Sequence, residues 1–176
     1  MTAGDLRFPI LIAAVLLLPA CQSLPTDRVR AVAALQPTAG HEATGRVRFT
    51  QTTEGVQVHA VVTGLEPYRE HGFPVHEAGD CSAPDATSAK GHFDPRGRAH
   101  GHFKAATHHV GDMPNLKADA SGRAEAVIML DDVTLQPGTA NIVGREVIVH
   151  AQPDDYRSQP AGKSGARLPC DAIRVD

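Results

Sequence analysis

The sequence predicts an all-β domain, an antiparallel sandwich or barrel that carries two long functional loops. Three observations predict it. Apolar and polar residues alternate with the period of two that half-buried strands require, most clearly at Val56-Gln57-Val58-His59-Ala60-Val61-Val62. No stretch sustains an amphipathic helical pattern. Two segments, 77–115 and 151–169, are too long and too rich in Gly, Pro, Asp and Arg to be ordinary connections, and long loops in compact domains are usually functional.

The chain begins with material outside that domain. Residues 8–20 form an apolar run too short to span a bilayer, preceded by Arg7, and read as a secretory signal. Leu18-Pro19-Ala20-Cys21 resembles the bacterial lipoprotein signal, in which the cysteine is lipidated and becomes the mature N-terminus. That resemblance implies a periplasmic protein held to a membrane through Cys21, and Gln22 implies the outer membrane. Residues 1–20 are therefore expected to be the signal peptide. Residues 21–42 carry Pro, Thr, Ala and Gln with little periodicity, and read as a lipid-anchored tether with a helical turn across 28–35. The domain then runs from 43 to 176.

Within it, Val47 and Phe49 share one face of a strand over 45–50. Thr53-Glu54-Gly55 turns the chain into a second strand over 56–62, which completes a hairpin. His59 reads as an ordinary residue of that strand. Further strands are expected at 72–76, 123–130 and 146–150, with a short last one at 172–175. Aromatic residues are only 4% and Trp is absent, so Val, Ala, Leu and Ile must build the core. A net charge of −3 excludes a basic nucleic-acid-binding face. Gly162-Lys163-Ser164 lacks the first glycine of a phosphate loop, since Arg157 stands there, and no Gly-x-Ser-x-Gly hydrolase elbow is present.

The chemistry concentrates between His71 and Asp112, which holds seven of the ten histidines. Histidine is the commonest protein metal ligand, and a nearby aspartate can complete a tetrahedral zinc site. Cys81 lies inside this stretch. With Cys21 lipidated, Cys81 and Cys170 make an even pair in an oxidising compartment.

Five spaced motifs resemble the Cu/Zn superoxide dismutases in their bacterial form. They are His71-Gly72-Phe73-Pro74-Val75-His76-Glu77, Gly91-His92-Phe93-Asp94-Pro95, His109-Val110-Gly111-Asp112 running on to Asn115, Val143-Gly144-Arg145 with Val147-Ile148-Val149-His150, and Gly165-Ala166-Arg167 running on to Cys170. The resemblance implies an immunoglobulin-like Greek-key β-sandwich, a flattened eight-stranded barrel. It implies zinc on His92, His100, His109 and Asp112, with His102 as a competitor for the place of His100. His102 and His108 otherwise read as surface residues. It implies copper on His76, His92 and His150, with His92 shared. Arg167 would steer the superoxide anion, Asp154 would link the two ligand sets, and His71 would support the site from beneath. Cys81 and Cys170 match the family's disulfide. The family includes monomers and homodimers, and the chain is compatible with either.

One position departs from the pattern. Pro74 stands where the family has a copper histidine, and proline offers no donor atom. Two expectations follow. One is a cell-envelope enzyme that converts superoxide to oxygen and hydrogen peroxide. The other is a non-catalytic zinc and copper protein that stores, transfers or senses copper on the same fold.

Overall fold

The computed structural model describes Met1 and residues 29–176. The signal and the lipidation site at Cys21 lie outside the described residues. The fold is all-β. Among the described residues the only helical element is a 3-10 turn, Thr87–Ala89.

Ten strands form: β1 Arg30–Pro37, β2 Thr44–Thr52, β3 Gly55–Thr63, β4 Glu70–His71, β5 Val75–His76, β6 Leu116–Lys117, β7 Ala124–Leu130, β8 Glu146–His150, β9 Arg167–Ala172 and β10 Arg174–Val175. Eight of them make one curled sheet, a half-barrel. Its order is β5-β8-β9-β1-β2-β3-β7, with β10 paired to β1. The strands β4 and β6 pair separately. Non-consecutive neighbours such as β9 and β1 give the crossing connections expected of a Greek key.

The hairpin follows from its sequence. β2 and β3 pair from Thr44↔Thr63 to Thr52↔Gly55, and Thr53 and Glu54 make the turn. Val47, Phe49, Val56, Val58, Ala60 and Val62 alternate into the core with no exposed surface. β8 breaks this alternation, because all five of its residues are buried. Val147 and Val149 face the main core. Ile148 faces a second, small cluster with Ala86, Ala89 and Cys170, so the first long loop covers the outer face of β8.

Three boundaries differ from the sequence reading. Part of the expected tether is strand β1, which ladders against β2 over six residue pairs and against β9 and β10. Arg30-Ala31-Val32-Ala33-Ala34-Leu35 buries Ala31, Ala33 and Leu35, a period of two made mostly of small residues, and no helical turn forms over residues 30–35. The strand expected at 72–76 shrinks to Val75–His76. Proline has no N–H to give to a ladder; Ile148 N–H still donates to the Pro74 carbonyl at 3.2 Å, but nothing can return from Pro74. The strand expected at 172–175 divides into the end of β9, which starts earlier, at Arg167, and the short β10; β9 extends back because Cys170 pairs with β8 on one side and β1 on the other. The second loop therefore ends at residue 166.

Because β1 lies between β2 and β9, the domain needs it. A chain that begins at residue 43 is expected to lose cooperative folding. It would leave three ladders unpaired and three buried side chains missing, against a net stability of only about 5–15 kcal/mol. Far-UV circular dichroism with a urea titration checks this. A cooperative transition like that of a chain retaining residue 29 onward would refute it.

Candidate metal centre

Two groups of potential ligands occur among the described residues. One is His92, His100, His109 and Asp112; the other is His76, His92 and His150. Within each group the ligand atoms lie within 4.8 Å of one another, and every member is buried. His92 belongs to both.

The first group is built by the first long loop around Asp112. Its Oδ2 accepts from the backbone N–H of His109 (2.8 Å) and of Gly101 (3.1 Å), which fixes the carboxylate. Its Oδ1 is the point on which three imidazoles converge. His92 Nδ1 lies at 2.7 Å, His100 Nδ1 at 3.0 Å and His109 Nδ1 at 3.7 Å. Burial opposes charge on Asp112, but hydrogen bonds from His100 and His92 hold its carboxyl well below the usual range.

The His100 ring is bound at both nitrogens. Its Nε2 lies 2.9 Å from Asp154 Oδ1. Burial disfavours its cation, yet the hydrogen bonds to Asp112 and Asp154 more than offset this and lift its pKa to about 9. His109 donates from Nε2 to the carbonyl of Arg98, which leaves Nδ1 free for the cluster. Burial also lowers its pKa.

The second group lies mainly on strands. His76 on β5 and His150 on β8 bring their Nε2 atoms to 3.2 Å. The Nδ1 of each is committed elsewhere, His76 to the carbonyl of Lys90 at 2.9 Å and His150 to that of Gly165 at 3.2 Å. With those carbonyls taking the N–H, each Nε2 is a lone-pair donor. His92 Nε2, on the far side of the ring from Asp112, is buried and has no hydrogen-bond partner among the described residues. Its ring packs edge-on to His76, with centroids 5.2 Å apart. Burial, and then the neighbouring imidazoles, hold the pKa of His76 well below its usual value. Burial takes that of His150 down to about 4.

His92 is held in this shared position by backbone. It bridges to His76, and Phe93 N–H donates to the Val75 carbonyl at 2.8 Å. Gly111 completes the layer: a Cβ there would lie 2.3 Å from the Val75 carbonyl oxygen, so only glycine allows the approach.

The remaining sequence-derived residues surround these two groups. Arg167 pairs with His150 across β8 and β9 and donates to the carbonyls of Ala86 and Lys90. Lys90 thus receives both Arg167 and His76 on one oxygen. Cys81 and Cys170 form a disulfide across 89 residues, which ties the first loop to β9. His71 donates from Nδ1 to the carbonyl of His150 at 2.8 Å, beneath the second group. His102 is exposed and rests against Phe103 and Tyr156, so His100 is the histidine that enters the first group. His108 is half-buried and tied to Asp132 at 3.2 Å rather than free on the surface. His59 pairs with Glu125 on the neighbouring strand. Pro74 is buried and immediately precedes β5.

These residues fit metals by their donor chemistry. The first group offers three imidazole nitrogens and a carboxylate, the set that suits closed tetrahedral zinc. The second offers three imidazole nitrogens, which suit copper. The unpartnered buried nitrogens of His92 and His109 point to the same conclusion, because buried polar atoms are normally satisfied. A curled all-β sheet with two ligand groups sharing one histidine defines the scaffold of a binuclear metalloprotein.

Comparison with known proteins agrees. The sequence model described as copper/zinc superoxide dismutase (SODC) matches residues 43–173. The chain is 39% identical over 137 residues to superoxide dismutase [Cu-Zn] 2 of Aquifex aeolicus, covering 76% of this chain and 80% of that one. It is 39% identical over 124 residues to a superoxide dismutase-like protein of Bacillus subtilis, covering 68% and 63%. Among solved structures, a double mutant of a SOD-like protein from Bacillus subtilis superposes with a TM-score of 0.75 at 36% identity, covering 81% and 96%. In that mutant a tyrosine and a proline are replaced by histidine. The clock protein EA4 gives 0.77 at 35% identity, covering 86% and 97%. The chain belongs to the Cu/Zn superoxide dismutase family.

Sequence reasoning missed the backbone carbonyls of Lys90, Ala86 and Gly165, which orient His76, Arg167 and His150. No side-chain signal marks them. It also missed any role for Gln159, which lies in a polar loop with no motif around it.

The titrations give a pH dependence for protein stripped of metal. His100 has a folded pKa of about 9, above its ordinary 6.5. Its contribution is complete below pH 6.5 and is lost as pH rises towards 9. His150, at about 4, lies below 6.5, so stability falls as pH drops from 6.5 towards 4. Urea midpoints of chelator-treated protein at about pH 5, 6.5 and 9 are expected to peak at the middle value. A midpoint that climbs steadily to the alkaline end would contradict these assignments.

Proposed function

We propose that this chain is a superoxide dismutase of the cell envelope, with zinc among His92, His100, His109 and Asp112 and copper among His76, His92 and His150. The observation that carries the reading is the convergence of the Nε2 atoms of His76 and His150 with the unpartnered Nε2 of His92, beside Arg167. When bound, copper supplies the one-electron chemistry that converts two superoxide anions to oxygen and hydrogen peroxide, and zinc supplies fixed charge. Lys90 and Gly165 hold the His76 and His150 rings so that their Nε2 lone pairs face the shared point. Arg167 places a cation at the same place, where it favours arrival of a small anion. Its two carbonyl partners and the disulfide keep it there.

Pro74 supports a second reading, a zinc-stabilised protein that stores, transfers or senses copper. Copper(II) favours a tetragonal set of four nitrogen or oxygen donors. Three imidazoles fall one short. Loss of a partner that merely orients a ligand weakens metal binding about 10- to 100-fold, and loss of a ligand should cost at least as much.

Metal content and superoxide consumption, measured together on the chain loaded with copper and zinc, separate the two. The dismutase reading expects one copper and one zinc per chain with rapid turnover. Pro74→His is expected to tighten copper about 10-fold or more. Zinc retained with copper lost, and activity gained only in Pro74→His, would favour the second reading. Copper held without turnover in either form would do so as well.

The location rests on the apolar run 8–20 and on Cys21. Lipid on Cys21 would hold the domain at the periplasmic face of the outer membrane. Metabolic labelling with a radioactive fatty acid is expected to mark the wild-type chain and to leave Cys21→Ser unlabelled and soluble. Equal labelling of both would refute the anchor.

A further inference from the structure

We infer that Gln159 is a positioning residue for the zinc ligand His100, half of a reciprocal pair of amide clasps that locks the two long loops together. This rests on the zinc assignment above and extends it to a residue that touches no metal.

The geometry is symmetrical in kind. Gln159, in the second loop, clasps the backbone of His100 in the first: His100 N–H donates to Gln159 Oε1 at 2.9 Å, and Gln159 Nε2 donates to the His100 carbonyl at 2.9 Å. Asn115, at the end of the first loop, clasps the backbone of Asp154 in the second. Asp154 N–H donates to Asn115 Oδ1 at 2.9 Å, and Asn115 Nδ2 donates to the Asp154 carbonyl at 3.0 Å. The two clasped residues are the ones whose side chains meet, His100 Nε2 against Asp154 Oδ1 at 2.9 Å. Each carboxamide satisfies one donor and one acceptor of its target, so neither backbone can rotate without breaking two bonds.

Two further contacts show that the arrangement is tightly built. Tyr156 accepts from Asn115 N–H through its hydroxyl at 2.8 Å, while its own N–H donates to Asp154 Oδ1 at 2.7 Å. Gly162 lies over the pair: a Cβ there would come 1.9 Å from Asp154 Oδ1 and 3.1 Å from His100 Nε2. With its backbone fixed at N–H and carbonyl and its Nε2 fixed by Asp154, the His100 ring has one remaining direction for Nδ1, towards Asp112. Gln159 is therefore set to pre-form the zinc site rather than to bind the metal. In the second group, His76 and His150 make no hydrogen bond to this clasp, and only the shared His92 meets it, edge-on to the His100 ring.

The test uses the full domain with β1, loaded with zinc alone and, separately, with cobalt(II) as a visible reporter of the same site. Gln159→Ala is expected to weaken zinc about three- to tenfold against a competing chelator, since the lost bonds are partly solvent-exposed. It should also shift the cobalt(II) absorption bands, while copper affinity changes less than about twofold. Gln159→Glu keeps the acceptor for His100 N–H and loses the donor, so it should fall between Ala and wild type. It also keeps the question answerable should Gln159→Ala fail to fold. Zinc affinity and cobalt bands unchanged in both variants would overturn the inference, as would an effect confined to thermal stability. If the wild-type chain takes up neither zinc nor cobalt, the metal-centre reading fails first, and the inference with it.

Discussion

The loops of this protein depend on one buried charge. Asp112 is 1% exposed, and a carboxylate removed from water is costly unless its oxygens are fully met. Two backbone N–H groups meet one oxygen and three imidazoles gather on the other. Those imidazoles come from residues 92, 100 and 109, so the carboxylate can be satisfied only if the first loop closes on itself at three places. A segment of about forty residues with one short 3-10 turn thereby acquires a single conformation. His100 then passes the constraint on, because its second nitrogen needs Asp154 and draws the other long loop over the first.

The two ligand groups are consequently held by different means. His76 and His150 sit on strands whose opposite faces form the main core, and the ladder sets their spacing. His100, His109 and Asp112 sit on loop backbone that the sheet does not reach, and their spacing is set by hydrogen bonds among themselves and with the second loop. His92 joins the two regimes. Its backbone pairs with β5, while its Nδ1 belongs to the loop cluster. Removal of metal should therefore be felt first in the loops, while the strand-borne pair keeps its geometry. The disulfide and Arg145, which stacks 3.5 Å over Phe93 and donates to the carbonyl of Glu77, fasten the loop back to the sheet at points away from the charge.

Much of this was legible in the sequence, for identifiable reasons. The β2–β3 hairpin alternates over 45–50 and 56–62 around a short turn, and such a pattern has one cheap solution. The ligand residues carry their chemistry in their side chains, so the histidine-rich stretch 71–112 stood out by composition, and the family resemblance singled out His92, His109 and Asp112 within it. β1 was hidden because alanines fill most of its inward positions, and small residues signal burial weakly. The early start of β9 was hidden because Pro169 interrupts its pattern, although pairing on both sides holds it. The clasps of Gln159 and Asn115 act on backbone, and no residue type announces that its amide will meet a main-chain pair 59 or 39 positions away.

Pro74 is best understood through what it leaves unmoved. Pro74 offers neither an imidazole nor a backbone N–H, at a position directly beside β8. Yet β5 keeps its place, because Ile148 N–H still reaches the Pro74 carbonyl, and because Val75 exchanges bonds with Gly111 and Phe93 on its other side. His76 therefore faces His150 and His92. A fold that only needed its core would have no reason to keep Lys90 and Gly165 aiming two imidazoles, or to hold Arg167 beside them. The sheet and the first loop hold three imidazole nitrogens together beside a residue with no donor atom, and on the dismutase reading proposed above the question of catalysis becomes how three nitrogens would hold copper through a redox cycle.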